Sequence, residues 1–464
     1  MITRADIVER VGEWGLAEQV VEKDYVLGWL LWGIATDPTL GQTWIFKGGT
    51  CLKKCYIETY RFSEDLDFTV LPGGPHASDD VRPLIDQVLA RVYDASGVDF
   101  SGREPALRSR PDGLSTEGSV YYVGPRAQIA SPARIKLDIS ANERVVRPPV
   151  LRDIGHPYPD ALPAPAQVRC YSFEEMFAEK LRAMTQRGRP RDLYDIINLF
   201  RRNDLRLYPS QIHAALVEKC AVKGVVVPTA ETIMTDQRRA ELEADWLPML
   251  GHQLPVLPPL GPFLEELPLL FRWLDGSVVF DELPPPLYET NEDDAWTPPR
   301  TAWTWRAGVP VEVIRFAATN HLLVDLAYDG KRRLIEPYSL RRTRDGFLLL
   351  HAERADNSGH RSYRVDRMQA AAATTTPFTP RAAIEFSAQG PLRAPLQSRR
   401  IGGYSPTRRS WPTSQPRTGP VYLYQCSRCG RTFEHSTRNT ALRAHKDDFG
   451  GRCPGRTGRY AGTQ

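Results

Sequence analysis

Three aspartates and a distant lysine limit the chemistry this chain can perform. In RFSEDLDF, Arg61–Phe68, Asp65 and Asp67 stand two apart. On a strand both carboxylates leave one face while Leu66 and Phe68 enter a core. Two such carboxylates repel, and each drifts toward protonation unless a cation lies between them. Mg2+ does this while also gripping phosphates. Surface strands also carry Asp-x-Asp by chance, so a third carboxylate matters. In RIKLDI, Arg134–Ile139, the apolar Ile135, Leu137 and Ile139 alternate with Lys136 and Asp138. A second strand carrying Asp138 beside the first completes a three-carboxylate site for two Mg2+ ions. One ion would activate an attacking hydroxyl, and the other would hold a triphosphate and the leaving pyrophosphate.

The elements around these residues must position them. WIFK, Trp44–Lys47, is a short strand that stops at Gly48-Gly49-Thr50. Leu52, Cys55 and Tyr56 follow at helical spacing, which predicts a helix with Thr50 as its N-cap. Paired glycines before a helix let backbone N–H groups approach an anion. The same pair also suits a tight turn for steric reasons alone. Further on, Ser172 and Glu175 have capping-box spacing, and Met176, Phe177, Leu181 and Met184 make an apolar face. Lys180 and Arg187 share another face and could meet phosphates, or simply line a solvated surface. Gly188 and Pro190 break this helix. Arg191 to Asp195 open the next, with Asp192 and Asp195 one turn apart.

Taken in order, GGT, SEDLD, KLD and EKLRAMTQRGRPRDLYDI resemble the AbiEii/AbiGii family of nucleotidyltransferases, whose fold is of the DNA polymerase β type. EKDYVLGWLL, Glu22–Leu31, is similar to that family's opening helix, and the resemblance covers about residues 15–275. It implies an α/β (α+β) domain with Gly48, Gly49 and Thr50 at the nucleotide phosphates. Ser63 and Asp65 fall in the first metal motif with Asp67 beside them, and Asp138 falls in the second. Lys180 takes the place of the phosphate-binding lysine. Asp195, with Arg191 and Asp192 nearby, matches the closing acidic motif. No catalytic carboxylate is missing. The resemblance further implies an NTP substrate, a toxin of a toxin–antitoxin or phage-defence system, and a cognate antitoxin. Some members add nucleotides to tRNA 3′ ends.

Composition agrees with a multidomain enzyme. The chain has 464 residues, 41% hydrophobic and 25% charged, enough for about three domains. No P-loop, kinase motif set or Ser-His-Asp arrangement stands out. The apolar run Tyr25–Ala35 is well short of the roughly 20 residues a bilayer requires. The opening MITRADIVER lacks a signal-peptide apolar region, so the expectation is a cytoplasmic protein without membrane contact. Charge is unevenly spread. Residues 301–464 carry 27 Lys+Arg against 12 Asp+Glu, or +15, while the first 300 carry 33 against 44, or −11. The basic half suits a phosphate-rich partner, or is an Arg-rich solvated tail.

The domain boundaries follow from these shifts. Residues 1–280 form the transferase domain, and 281–308, proline-rich and acidic, read as a linker. Ile314–Met368, within a module at 309–373, resembles a WYL domain, an SH3- or Sm-like small β-barrel common in bacterial regulators. HLLVDLAYDGKRRLIEPYSL, GFLLLHAER and RSYRVDRM carry the likeness, with Phe347-Leu348-Leu349 in place of the naming tripeptide. Arg361, Arg364 and Arg367 are candidate phosphate contacts, with pairing to Asp366 the alternative. Residues 374–418 read as a basic disordered connector. The last module, 419–464, holds Cys426, Cys429, His445 and Cys453 at C-x2-C-x15-H-x7-C spacing, a closed set for structural Zn2+ in a zinc knuckle or ribbon. His435 rivals His445. Arg428, Arg431, Arg438, Arg443, Lys446 and Arg452 surround it with Tyr422, Tyr424 and Phe433, which suits nucleic acid or protein docking. Cys51, Cys55, Cys170 and Cys220 read as scattered, buried, reduced thiols.

These features together predict an Mg2+-dependent nucleotidyltransferase moving a nucleoside monophosphate from an NTP to an RNA 3′ end, foremost tRNA. The same site would serve an oligonucleotide signal synthase. A nucleic-acid-binding WYL regulator with a vestigial transferase domain is the alternative from a different class.

Overall fold

The computed structural model describes residues 1–57, 61–128, 131–202, 208–280, 283–287, 291–293, 296, 311–357, 359–386, 422–435, 440–442, 445–446 and 452–463. The chain divides into two compact units, Met1–Arg399 and Arg400–Gln464. In the first, seven strands make one mixed sheet: β1 Trp44–Lys47, β2 Asp65–Val70, β3 Ala106–Ser109, β4 Ser115–Tyr122, β5 Ala133–Ser140, β6 Val150–Asp153 and β7 Gln167–Cys170. Their order is β3-β4-β5-β2-β1-β7-β6. β2 lies parallel to β5 and antiparallel to β1. Leu66, Phe68, Ile135, Leu137 and Ile139 are buried, as their alternation predicts. Each such side chain contributes about 1.5–3 kcal/mol, and a one-residue slip would drive Asp67 into the core, so the register is strongly fixed.

Among the described residues twelve α-helices accompany the strands: α1 Arg4–Trp14, α2 Glu18–Ala35, α3 Leu40–Thr43, α4 Gly48–Cys51, α5 Ser78–Ser96, α6 Phe173–Arg187, α7 Pro190–Phe200, α8 Pro209–Lys223, α9 Ala230–Ile233, α10 Asp236–Leu250, α11 Leu260–Leu274 and α12 Val311–Thr319. α2 is buried along nearly its whole length between α5 and the sheet. None of the described helices is long and apolar enough to cross a membrane.

Two local expectations are corrected. Thr50 is not an N-cap: it lies inside α4, which Lys47 precedes, and Leu52–Tyr56 continue as a π-helical turn. Only half of the capping box forms. Ser172 Oγ accepts from the Glu175 amide at 3.2 Å, but the Glu175 carboxylate turns away to accept the Val146 and Arg147 amides at 2.9 Å each. The break between α6 and α7 falls at Gly188 (φ +54°) and Pro190 as predicted.

A second, antiparallel sheet follows α12: β8 Leu322–Tyr328, β9 Lys331–Arg342, β10 Leu348–Arg354, β11 His360–Arg364 and β12 Met368–Pro377, in the order β11-β10-β9-β8-β12. Among the described residues no pairing joins β11 to β12. This sheet is not a separate body. One continuous core runs from Ile2 to Phe386, and α12 packs on α1. The expected linker is partly docked: the Ala383 amide donates to Pro284 O at 2.9 Å, and Arg342 pairs with Asp293 at 2.6 Å. The expected connector also begins inside the fold, with Ile384 and Phe386 buried; its residues 387–418 lie outside those described.

The second unit has a three-stranded antiparallel sheet of β13 Tyr422–Cys426, β14 Thr432–His435 and β17 Gly458–Thr463, and a two-stranded one of β15 His445–Lys446 and β16 Arg452–Cys453.

Candidate active site

The parallel β2–β5 register sets Asp67 directly opposite Asp138 and Asp65 opposite Lys136, while β1 sets Lys47 opposite Asp67. Burial raises the Asp67 carboxyl to about 6, helped by Asp65 and Asp138 and opposed by Lys47 and Lys180. Burial likewise raises Asp65. Asp138 Oδ2 accepts from Arg110 Nη2 at 2.9 Å. The glycine turn is built against these carboxylates. Gly48 has φ +81°, and a Cβ there would stand 2.1 Å from Asp67 Oδ2. A Cβ on Gly49 would stand 2.6 Å from Arg61 Nη2 and 3.1 Å from Ser63 Oγ. Thr50 Oγ1 donates to the Asp65 carbonyl at 2.5 Å, so this side chain fixes the start of β2.

Behind the carboxylates, α6 and α7 interlock through charge. Lys180 Nζ lies 2.6 Å from Asp195 and 3.7 Å from Asp192. Arg187 forks onto Asp192 at 2.8 and 2.9 Å. Arg61 forks onto Asp195 at 2.7 and 2.8 Å and also donates to Gln253 at 3.0 Å. Burial alone would raise the Asp195 carboxyl, yet Arg61 and Lys180 hold it far below the ordinary range. The Asp195 side chain is fully buried and holds both Lys180 and Arg61 in place. A cavity of about 280 Å3 opens over Gly48, Gly49, Asp67, Asp138, Lys180 and Arg187.

Of the expected residues, Gly48, Gly49, Asp67, Asp138, Lys180 and Arg187 share this cavity, and Thr50, Ser63, Asp192 and Asp195 do not line it. Asp65 and Arg191 face an adjoining cavity rather than this one. The three aspartates do not converge on one point, since the only groups of three or more ligands within 4.8 Å among the described residues are built on cysteines. Sequence reading missed Arg61, Lys47, Glu143 and Arg110. Arg61 opens the very motif that was recognised, and Lys47 immediately precedes the glycines, so both had a positional signal. Arg110 lies just beyond β3 and had none.

The family model described as "Nucleotidyl transferase AbiEii toxin, Type IV TA system" matches residues 29–274, more than half of the chain. The chain belongs to the AbiEii nucleotidyltransferase family. Similar solved structures include the following two. MenT4, a nucleotidyltransferase toxin from Mycobacterium tuberculosis H37Rv, is 21% identical, with 59% of this chain and 90% of that chain covered and a TM-score of 0.40. JHP933 from Helicobacter pylori is 18% identical, with 56% and 94% covered and a TM-score of 0.37. No curated protein matches. The AbiEii match ends before the second sheet and the cysteine-rich unit, so their roles stand on geometry alone.

In the second unit, Cys426, Cys429, His445 and Cys453 place one ligand atom each within 4.8 Å of the others. Cys426 and Cys453 sulfurs are 3.8 Å apart, the separation two thiolates take on a tetrahedral ion with bonds of about 2.3 Å. Cys429 Sγ lies 3.2 Å from His445 Nε2. A Cβ on Gly455 would stand 2.4 Å from Cys426 Sγ, so glycine is needed there. The side chains of His435, Lys446 and Arg452, and all of Arg438 and Arg443, lie outside those described. Beyond the AbiEii site the first unit holds a surprise: Cys51, Cys55 and Cys170 are not scattered but cluster within 4.8 Å, all buried. In the second sheet Arg364 pairs with Asp366 at 2.6 Å and lies over the Phe347 ring at 3.6 Å, the ion-pair alternative rather than a free phosphate contact.

Proposed function

We propose that the chain transfers a nucleoside monophosphate from an NTP to an RNA 3′ end, foremost that of tRNA, with Mg2+. The observation that carries this reading is Asp67 facing Asp138 across a parallel pair, with Gly48 pressed against Asp67 and Lys180 in the wall of the same cavity. Hard carboxylate oxygens, one of them ionised only above about pH 6, suit Mg2+. Asp67 and Asp138 would hold an ion from this cavity, with Asp65 reaching it from the adjoining one; the ions would neutralise the triphosphate and acidify the attacking hydroxyl. The Gly48-Gly49 backbone, Lys180 and Arg187 bind the phosphates. Asp195 and Arg61 fix the Lys180 ammonium. The acceptor oxygen bonds to the α-phosphorus as the bond to pyrophosphate breaks; the electron pair leaves with pyrophosphate and the proton passes to solvent.

The second sheet would then act as a WYL-like module, and the cysteine cluster as a structural Zn2+ site whose metal folds a tail too small for a large core. The family's toxin–antitoxin description also implies a cognate antitoxin. The test is incubation with each α-labelled NTP, Mg2+ and total bacterial RNA, beside Asp67→Asn and Lys180→Ala. Label on RNA of tRNA size, absent with both variants, is expected. Label in short products without RNA would instead identify a signal synthase. No incorporation would leave the vestigial-transferase regulator.

A further inference from the structure

Positive charge is unequally committed on the two sides of the aspartates. On the Gly48 side most cations have a carboxylate partner: Lys47 pairs with Glu143, Lys180 with Asp195, Arg187 with Asp192 and Arg110 with Asp138, while Lys223 donates to two Asn142 oxygens. On the other side a cavity of about 420 Å3 opens over Asp65, Arg134, Lys136 and Arg191. None of these three cations makes an ion pair or hydrogen bond among the described residues. Arg134 and Lys136 alternate with the buried Ile135, so both rise from the β5 face that also carries Asp138. Arg191 lies in the first turn of α7, the helix that anchors Lys180 through Asp195. Three uncompensated cations around one concave surface attract anions, and a single carboxylate leaves most of that charge unmatched.

We propose that this cavity binds the backbone phosphates of the acceptor strand's last nucleotides, resting on the nucleotidyl-transfer reading above. The triphosphate then enters from the Gly48 side and the acceptor from the Arg134 side, with Asp65 between the two. Arg191 is thereby an acceptor residue rather than a nucleotide-binding one. Lys23, Glu64 and His252 close the far rim as an ion-paired group and carry no net attraction of their own.

The test uses the full chain carrying Arg134→Ala with Lys136→Ala, two exposed strand positions whose loss leaves the core intact. Binding of a fluorescent single-stranded RNA with a free 3′ hydroxyl is measured against salt, and KM is measured for RNA and NTP separately. Removing two phosphate contacts should weaken RNA at least about tenfold and flatten the log–log salt dependence by about 1.4, roughly 0.7 per contact. KM for NTP should not move. Unchanged RNA affinity, or a raised KM for NTP with RNA unaffected, would overturn the assignment. If the unmodified protein transfers no label but the double variant loses RNA, the transfer reading fails while the cavity stands. If transfer occurs and the variant keeps its RNA, the cavity assignment alone falls.

Discussion

Asp67→Asn should make the protein more stable while abolishing its chemistry. The Asp67 carboxyl is raised from an ordinary 3.8 to about 6, with burial the largest cause and its two aspartate neighbours adding to it. A carboxyl that holds its proton more tightly folded than unfolded favours folding while protonated, and its ionisation opposes folding as pH rises. The penalty is therefore absent below about pH 4, grows through about pH 6, and is complete above it. A rise of that size corresponds to about 3 kcal/mol. Asn keeps the shape that fits against Gly48 and removes the charge. Chemical denaturation in EDTA should show the variant more stable by up to about 3 kcal/mol at pH 8, with the gain shrinking to nothing by pH 4. Mg2+ should raise the Tm of the unmodified protein but not that of the variant. A variant no more stable at pH 8, or a difference that ignores pH, would refute the electrostatic account of this site.

Other substitutions probe the supports. Gly48→Ala combines a positive φ with a Cβ placed 2.1 Å from Asp67 Oδ2, so it should displace that carboxylate and remove transfer; activity equal to the unmodified protein would exclude the close approach. Arg61→Ala leaves Asp195 buried with Lys180 as its remaining cation and should cost about 3–5 kcal/mol in denaturant unfolding, with Arg61→Lys milder because it loses the fork. Purified protein should carry one zinc per chain by elemental analysis, and Cys453→Ser should lose it together with the protease resistance of residues 422–463, leaving the first unit's unfolding unchanged; retention of zinc in that variant would reject the ligand set.

The period-two pattern was legible because it is local. Leu66 and Phe68 against Asp65 and Asp67, and Ile135, Leu137 and Ile139 against Lys136 and Asp138, sort themselves onto two faces without knowledge of any partner strand. The cysteine spacing in the second unit was legible for a similar reason, since its C-x2-C turn is a short-range device. What escaped was long-range. Arg61 meets Asp195 across 134 positions, and no periodicity announces such a pair. Glu175 has the spacing of a capping box but finds better donors in Val146 and Arg147, which only the tertiary fold brings near. The acidic stretch around Pro284 and Asp293 has a linker's composition, yet composition does not register that Ala383 and Arg342 await it. Cys51 and Cys55 needed β7 beside β1 to gain Cys170 as a neighbour.

The charge inventory of the site bears on why an ion is needed for nucleotide binding. Arg61, Lys180 and Arg187 bring three positive charges to Asp192 and Asp195, so this interlocked set leaves +1 behind the cavity. The Lys47–Glu143 and Arg110–Asp138 pairs are neutral, while Asp65 and Asp67 add −2 once ionised. Lys223, held only by Asn142 oxygens, adds +1 and brings the sum to zero, which offers a triphosphate no net attraction. Below about pH 6 the protonated Asp67 no longer holds a metal ion, so Mg2+ should lose its effect there. Nucleotide affinity should therefore be weak in EDTA at pH 8 and strengthened by Mg2+ only above about pH 6. Isothermal titration with a non-hydrolysable NTP across pH 5 to 8, with and without Mg2+, reads this directly. Tight binding in EDTA would mean that Lys180 or Arg187 abandons its carboxylate for phosphate, and that the buried network is a reserve of positive charge rather than a fixed frame.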